Sequence, residues 1–237
     1  MTSSSSKFSL SVVLPVYNEE DNLRPVVTSI HTYFKRLPIH AFEIIIVNDG
    51  STDRTAEVIE DLKRELPAVK AVRHPLNRGY GAALTTGFRH ASLEYIFFMD
   101  ADCQFHIRDI SKLLGHKDHF DLVIGYRIKR ADSWLRRINA WFYKQFVWLM
   151  LGIRFKDLDC AFKLFPKKVL NSLQPLRSHG ALINAEFLKK AVLKGYTLKE
   201  VPVHHYQRRF GQQSGANLKV IVRMFREYWK LRKDLGR

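Results

Sequence analysis

The ten residues YIFFMDADCQ, Tyr95 to Gln104, lead from an apolar run into an acidic turn. The run Tyr95–Met99 predicts a buried strand, because a short apolar stretch bounded by charge is typical of one. Asp100 and Asp102 follow where this strand ends, and two close carboxylates raise each other's pKa unless a cation lies between them. Hard ions such as Mg²⁺ prefer carboxylate and phosphate oxygens, and Gln104 could add an amide oxygen. The stretch therefore predicts a metal and diphosphate site. A plain polar turn is the alternative that the context must decide.

Further apolar runs in the first half alternate with helical patterns and predict an α/β fold. Near-continuous apolar strands separated by helices are typical of a mainly parallel sheet with helices on both faces. Ligands bind such sheets beyond the carboxyl ends of the strands. The further predicted strands are Leu10–Leu14, Phe42–Val47, Val69–Val72 and Leu122–Ile124, and the helices include Asp53–Glu65 and Tyr80–Ala91.

The second half has a different pattern, but we expect it to belong to the same domain. Its predicted elements are a long aromatic helix at Ser133–Leu151, a mixed segment at Asp157–Phe165, a helix at Ala181–Lys194, a strand at Thr197–Val203 and a basic amphipathic helix at Asn217–Arg237. We therefore expect a flexible tail over residues 1–8, one α/β domain over 9–216 and a separate C-terminal helix over 217–237.

Composition narrows the classes of partner. The 39 Lys and Arg residues against 23 Asp and Glu give a net charge of +16, which indicates nucleic acid, an acidic membrane surface or phosphorylated substrates. The basic residues are dispersed and no nucleic-acid motif is present, so we expect no nucleic-acid partner. Two cysteines, Cys103 and Cys160, indicate a reducing compartment rather than a disulfide framework. No signal peptide or membrane-spanning run is evident, so a cytoplasmic location is expected.

Two other strand ends carry polar residues that suit a nucleotide. The first predicted strand is followed by Pro15-Val16-Tyr17-Asn18-Glu19-Glu20 and the second by Asn48-Asp49-Gly50-Ser51-Thr52-Asp53. Each alone is a good turn or helix-cap sequence, but three polar strand ends on one sheet edge favour a binding site. Asp49 could accept from a base imide N–H, and Tyr17 could stack on a nucleoside. The loop Asn77-Arg78-Gly79-Tyr80-Gly81 precedes a helix N-terminus, although it matches neither the P-loop nor the dinucleotide fingerprint.

Together the stretches LPVYNEEDNL, IIIVNDGSTDRT, LNRGYGAAL and FMDADCQ resemble the family 2 glycosyltransferases of the GT-A fold. Within that family the chain is most similar to the dolichyl- or polyprenyl-phosphate sugar (mannose or glucose) synthases, over roughly Leu10–Gln213. The resemblance implies inverting transfer of a hexose from a GDP-mannose or UDP-glucose type of donor, with Mg²⁺ or Mn²⁺, to a lipid phosphate. Transfer to a hydroxyl of a glycan or glycolipid is the alternative, and an inactive nucleotide-binding subunit is another.

By the same resemblance, the donor site and the metal site fall on the three strand ends. The expected metal ligands are Asp100, Asp102 and Gln104. Asn48 stands where the family usually has a first aspartate, and Cys103 stands where it has a leucine and is expected to pack away from the site. The expected donor contacts are Pro15, Tyr17, Glu19, Asp49, Gly79, Asp100, Ala101 and Asp102.

The second half resembles the lipid-phosphate subgroup at three segments. These are Gly125-Tyr126-Arg127, the stretch Asp157–Phe165 with Ala161 in place of a glycine, and Arg208-Arg209-Phe210-Gly211-Gln212-Gln213-Ser214. The resemblance implies that Arg127, Arg208 and Arg209 hold anionic oxygens. A hydroxyl acceptor would need a base, for which Asp159 is the candidate, whereas a phosphate acceptor would not.

Several of these residues also have plain structural interpretations. By the resemblance, Glu186 stands where the family has a site-facing acid on a helix. Asp159 and Glu186 could instead be helix-cap or surface acids, and an arginine pair such as Arg208 and Arg209 is common in a basic protein. For the pair His204-His205 a structural role is the favoured interpretation.

A membrane surface is the last expected partner. Basic residues from Arg127 to Arg137 precede the aromatic run Trp141–Trp148, and the C-terminal helix repeats this arrangement. A basic and aromatic amphipathic helix suits an anionic membrane surface. We expect peripheral attachment at the cytoplasmic face, with a membrane-embedded protein as a further expected partner. Two core-packing helices with solvated basic faces are the alternative.

Overall fold

The computed structural model describes residues 8–128, 145, 148–208 and 210. Apart from Phe8, which is buried, the expected N-terminal tail lies outside these residues, as do most of the aromatic helix and the basic C-terminal helix. The strands are β1 Ser9–Val16, β2 Ala41–Asn48, β3 Val69–Arg73, β4 Tyr95–Met99, β5 Leu122–Arg127, β6 Phe162–Pro166 and β7 Leu198–Val203. The helices are α1 Glu20–Phe34, α2 Thr55–Glu65, α3 Tyr80–His90, α4 Ile110–Leu114, α5 Lys167–Leu173 and α6 Ile183–Leu193.

The strands form one sheet in the order β3-β2-β1-β4-β6-β5-β7. Neighbouring strands are parallel except around β6, which is antiparallel to both β4 and β5. The carboxyl ends of β1, β2, β4, β5 and β7 therefore lie on one edge, and β6 contributes its first residues to that edge. The predicted mainly parallel α/β sheet is confirmed.

Both faces of the sheet are covered, as its continuous apolar strands require. Successive strand side chains point to opposite faces. Phe97 accordingly packs against Phe162, with ring centroids 4.7 Å apart, while Phe98 packs against Phe88 of α3 at 5.6 Å. Helix α3 comes close to β1 because Gly87 has no side chain: a Cβ there would collide with Val13. This close packing fixes the position of α3 against β1, next to the sheet edge that carries the polar residues.

Within the described residues, the predicted strands and helices match the observed ones with small shifts at their ends. Helix α2 begins at Thr55 rather than Asp53, because the Asp53 carboxylate accepts the amide of Thr55 at 3.0 Å and that of Glu20 at 3.3 Å. The segment predicted as mixed divides into a turn before residue 162 and strand β6. No helix among the described residues is long and apolar enough to cross a membrane.

Candidate active site

The loops that follow β1 and β2 are joined into one rim at the sheet edge. The amide of Asn18 donates to Ser51 Oγ at 2.9 Å, and Asn18 Oδ1 accepts the amide of Thr52 at 2.8 Å. The amide of Glu19 donates to Thr55 Oγ1 at 2.9 Å. Tyr17 lies on this rim with 42% of its surface exposed, so its ring is available for stacking.

Asp49 holds the loop that precedes α3. Its Oδ1 accepts the amide of Arg78 at 2.9 Å and lies 2.6 Å from His74 Nδ1, while its Oδ2 accepts the amide of Gly79 at 2.8 Å. A carboxylate offers about four acceptor positions, and three are used here. Gly79 has φ +102°, a conformation that favours glycine. Asp49 thus fixes the conformation of the loop before α3. Its contact with a nucleotide base stays a prediction.

The start of α3 is bound by the chain itself. The amides of Gly81 and Ala82 donate to the carbonyl of His179 at 2.8 and 3.3 Å. The segment that carries His179 is held in turn by buried Glu186, which accepts the amides of Arg177 at 2.9 Å and Ser178 at 2.7 Å. A ligand that used this helix N-terminus would have to displace these contacts. The geometry favours a structural role for Glu186.

The two carboxylates after β4 form the electrostatic centre of the site. Burial, and then the charge of Asp102, raise the pKa of Asp100 to about 7, and burial also raises the pKa of Asp102. The phenol of Tyr80 lies beside Asp100, and burial together with the charge of Asp100 raises its pKa. A divalent cation would relieve this repulsion, so the pair fits Mg²⁺ or Mn²⁺.

Further metal ligands would have to come from an amide, substrate or water. Within the described residues no group of three or more His, Cys, Asp or Glu side chains could hold a metal ion. Gln104, the third predicted ligand, donates from Nε2 to the carbonyl of Tyr206 at 2.9 Å. Its backbone amide donates to Asp102 Oδ1 at 3.1 Å. Gln104 therefore ties the segment after β7 to the acid pair.

Arg208 reaches the acid pair from the segment after β7. Its Nη2 lies 2.5 Å from Glu19 Oε1, and its Nη1 lies 3.9 Å from Asp102 Oδ2. Burial raises the pKa of Glu19 against the opposing effects of Asn22 and Arg208. The predicted donor contact Glu19 is therefore engaged with one of the predicted phosphate-binding arginines. Arg209 lies outside the described residues.

Arg127, at the end of β5, forms a bidentate ion pair with a residue that was not predicted as its partner. Asp157 accepts from Arg127 Nε at 2.5 Å and from Nη2 at 2.7 Å, and these side chains are only 12% and 8% exposed. Burial disfavours the charged guanidinium, but Asp157 outweighs it and raises the pKa of Arg127. The first aspartate of the motif that also contains Asp159 was the signal for this pair.

Other predicted residues differ in what they can present to a ligand. Pro15 and Ala101 are buried, so they contribute backbone and shape rather than an exposed side chain. Cys103 points back to α1, where its Sγ lies 3.5 Å from the carbonyl oxygen of Asn22, as expected for a residue that packs away from the site. His204 binds Asp109, with Nδ1 and Oδ2 2.9 Å apart, which supports its structural interpretation.

The model of glycosyl transferase family 2 matches residues 11–174, which include the rim, the acid pair and the Arg127–Asp157 pair. The chain belongs to this family. The match confirms the resemblance that the strand-end motifs carry.

Curated relatives of this family 2 chain include two bacterial proteins. An undecaprenyl-phosphate 4-deoxy-4-formamido-L-arabinose transferase from Enterobacter sp. (strain 638) is 29% identical over 231 residues, which are 95% of this chain and 68% of that protein. The transferase of the same name from Salmonella typhimurium (strain LT2) is 30% identical over 219 residues, 91% of this chain and 65% of that protein. The chain thus spans about two thirds of the length of the curated relatives it matches.

Solved structures share the fold of this family 2 chain. Glucosyl-3-phosphoglycerate synthase from Mycobacterium tuberculosis, in complex with Mn²⁺, UDP and phosphoglyceric acid, superposes with a TM-score of 0.72 at 20% identity. The superposition covers 97% of this chain and 79% of that one. At this identity the likeness concerns the fold alone, and it confirms the predicted GT-A architecture.

Proposed function

We propose that this chain transfers a hexose, with inversion, from a nucleotide-sugar donor to a polyprenyl or dolichyl phosphate. The observation that carries this is the convergence of Asp100, Asp102 and Arg208 at the carboxyl end of β4, where 3.9 Å separates the guanidinium from the second carboxylate. Acids that suit a cation beside a fixed guanidinium match the needs of a departing diphosphate. The names of the curated relatives support the lipid-phosphate acceptor.

The roles of the residues follow from their positions. Asp100 and Asp102, with Gln104, would hold Mg²⁺ or Mn²⁺, which when bound stabilises charge on the leaving diphosphate. Tyr17 and Asp49 would bind the nucleoside, with Pro15, Gly79 and Ala101 shaping its pocket. Arg208 would bind diphosphate oxygens, and Arg209 is proposed to assist from the same segment. Arg127, oriented by Asp157, would bind the acceptor phosphate.

The acceptor decides whether a base is required. A lipid phosphate is already an anionic nucleophile at neutral pH, so Asp159 would only position it. A hydroxyl acceptor would need Asp159 to take its proton. We therefore expect Asp159→Asn to raise the KM for polyprenyl phosphate while turnover persists. Near-complete loss of turnover, or transfer only to glycan hydroxyls in an acceptor panel, would contradict the proposal.

The donor is tested in the same assay. GDP-mannose, UDP-glucose and a UDP-linked 4-deoxy-4-formamido-L-arabinose are each offered with undecaprenyl or dolichyl phosphate and Mg²⁺ or Mn²⁺. We expect a hexose donor to be used and product formation to stop when EDTA removes the metal. Undiminished transfer in EDTA would refute the metal assignment, and exclusive use of the formamido-arabinose donor would refute the hexose.

We also propose attachment to the cytoplasmic face of a membrane, where the lipid phosphate is presented. Trp148, Leu149 and Met150 are exposed apolar residues beside Arg154, whose guanidinium stacks 3.9 Å from the Trp148 ring centroid. This arrangement supports binding to an anionic interface. Sedimentation should be strong with vesicles that contain anionic lipid and weak with neutral ones. A chain that stays in the supernatant with both would refute direct attachment to the lipid surface, and only attachment through a membrane-embedded partner would then be left. The separate C-terminal helix at 217–237 remains part of this proposal.

A further inference from the structure

Lys163 is a charged residue in the middle of the core. It lies in β6 between Phe98 of β4 and Ile124 of β5, and its side chain is fully buried. Burying an ammonium costs free energy unless its charge and its donors are compensated. An unbranched apolar side chain would fill the same space without this cost. The reason for the charge must therefore be sought in what it binds.

All three donors of the ammonium have partners. Lys163 Nζ donates to the carbonyl of Cys160 at 2.5 Å, to the carbonyl of Leu158 at 3.2 Å and to Oδ1 of Asn184 at 2.9 Å. Three acceptors complete the hydrogen-bonding capacity of an ammonium group. Its Nζ also lies 5.2 Å from the ring centroid of Phe98, a favourable cation–π distance. The surrounding groups thus satisfy both the donors and the charge of this one side chain.

Two of the three acceptors flank a single residue. Leu158 and Cys160 are the chain neighbours of Asp159, so one ammonium fixes the peptide carbonyls on both sides of that carboxylate. The turn is closed by the amide of Cys160, which donates to the carbonyl of Asp157 at 3.3 Å. Because β6 is antiparallel to its neighbours, this turn lies on the sheet edge that also carries the acid pair.

We propose that Lys163, with Asn184 as its third partner, is a positioning residue that pins the 157–160 turn so that Asp159 and the Arg127–Asp157 pair keep their places at the acceptor side. The pinning itself is independent of any substrate, and its effect on transfer rests on the proposed function. The prediction is specific: loss of these hydrogen bonds should loosen the turn and leave the loops after β1 and β2 largely intact. The charge of Lys163 also acts to lower the pKa of Asp100, so Asn184→Leu, which keeps the ammonium, separates the pinning from this charge effect.

The first test uses the reactivity of the Cys160 thiol to measure how readily the 157–160 turn opens. This thiol is fully buried, and burial raises its pKa, so it should react slowly. In a Cys103→Ser background it is the only thiol. Lys163→Met keeps the length of the side chain and removes its donors, and Asn184→Leu removes one acceptor. Asn184→Asp keeps an acceptor oxygen and serves as the matched control.

We expect both disrupting variants to react with a disulfide reagent under native conditions at least about tenfold faster than the background, because local opening exposes the thiol. Asn184→Asp should stay close to the background rate. Unchanged reactivity in Lys163→Met and Asn184→Leu would overturn the proposal. If Lys163→Met shows no cooperative thermal transition, Asn184→Leu decides the question.

The second test separates positioning from general damage. In Asn184→Leu, which keeps the charge of Lys163 near Asp100, kcat for transfer to polyprenyl phosphate should fall at least about tenfold while the affinity for nucleoside diphosphate stays within about twofold. Equal losses in both, or unchanged transfer, would overturn the positioning role. If the parent protein transfers no sugar to polyprenyl phosphate, the proposed function fails, and the Cys160 measurement still decides whether Lys163 pins the turn.

Discussion

Glu19 Oε1 lies 2.5 Å from Arg208 Nη2, so a residue at the end of β1 holds a guanidinium that arrives from beyond β7. Asn22 links the same two segments, donating from Nδ2 to Glu19 Oε2 at 2.7 Å and to the carbonyl of Phe210 at 3.2 Å. The pair joins the loop after β1 to the segment after β7, and Arg208 Nη1 lies 3.9 Å from Asp102 Oδ2. Under the proposed function, Glu19 would therefore act on a diphosphate through Arg208.

We expect Glu19→Gln to weaken binding of GDP or UDP with Mn²⁺ by roughly tenfold, because a charge-assisted hydrogen bond contributes about 1.5–3 kcal/mol. Titration calorimetry measures this affinity. Arg208→Lys should cause a similar loss, since lysine lacks the planar fork.

The double variant tests whether Glu19 and Arg208 act as a unit. It should lose little more affinity than either single variant, whereas fully additive losses would show that the residues act separately. Glu65→Gln is the control: it breaks an exposed ion pair with Arg24, whose closest atoms are 2.6 Å apart, away from the site, and it should leave nucleotide affinity unchanged.

Metal affinity should depend on pH through Asp100. Its carboxyl has a pKa raised to about 7, so it keeps a proton below that pH, and the proton competes with a cation. The affinity for Mn²⁺ should therefore rise between about pH 6 and about pH 8 and level off above. Asp102→Asn should lower the affinity at least about tenfold, because it removes one of two charged ligands. Electron paramagnetic resonance of free Mn²⁺ measures both effects. A flat profile with unchanged affinity in the variant would place the metal elsewhere.

Acid stability should depend on Glu43, at the opposite edge of the sheet. Burial acts to raise its pKa, but hydrogen bonds from Lys70 and Ser11, both at 2.6 Å, and from the amide of Ser92 at 2.7 Å lower it overall. A lowered folded-state pKa stabilises the fold above the unfolded-state pKa, and this stabilisation is lost as the pH falls through the folded value.

At neutral pH, Glu43→Gln should lower the free energy of unfolding by about 1–3 kcal/mol, because buried acceptors and donors lose their partners. The difference from the parent protein should shrink as the buffer becomes acidic, which urea titrations at several pH values will show. A difference that stays constant down to acid pH would contradict the assignment.

Gly50 should tolerate no side chain. It has φ +72°, and a Cβ there would lie 2.5 Å from the carbonyl carbon of Leu76 and 2.6 Å from the amide nitrogen of Asn77. Gly50→Ala should cost at least about 2 kcal/mol, from backbone strain together with this collision. Gly195 offers a matched control, because its φ is +75° and its Cβ would meet nothing within 4 Å. Gly195→Ala should cost only about 1 kcal/mol. Equal shifts in Tm would show that the collision relaxes.

The half of the sheet built on β1 to β4 could be predicted from sequence because each strand is a mainly apolar run, and three of these runs are followed by polar residues. The direction of β6 could not, since an apolar run such as Phe162–Pro166 has no feature that distinguishes parallel from antiparallel pairing. Lys163 also obscured this strand, because a lysine that is fully buried in the middle of a strand is rare.

Contacts between distant segments were the other gap in prediction. Arg127 was predicted to bind a phosphate, but its bidentate partner Asp157 is thirty residues away. The motif that contains Asp157 drew attention to this residue, but it did not identify Arg127 as its partner. Glu19 was predicted as a donor contact from its motif, whereas its pairing with Arg208 across 189 residues emerges only in three dimensions. The sequence motifs located the polar edge of the sheet, but only the fold shows which side chains contact each other at that edge.

The reversal of β6 has a consequence for how such a protein can diversify. Since the strand enters the sheet at the polar edge, the whole excursion between the end of β5 and the start of β6 leaves from and returns to that one edge. An exchange or lengthening of residues 128–161 would therefore be spliced in at two neighbouring points. The strands that carry Asp49 and Asp100 would keep their connections, so one part of the molecule could evolve while the other is inherited unchanged.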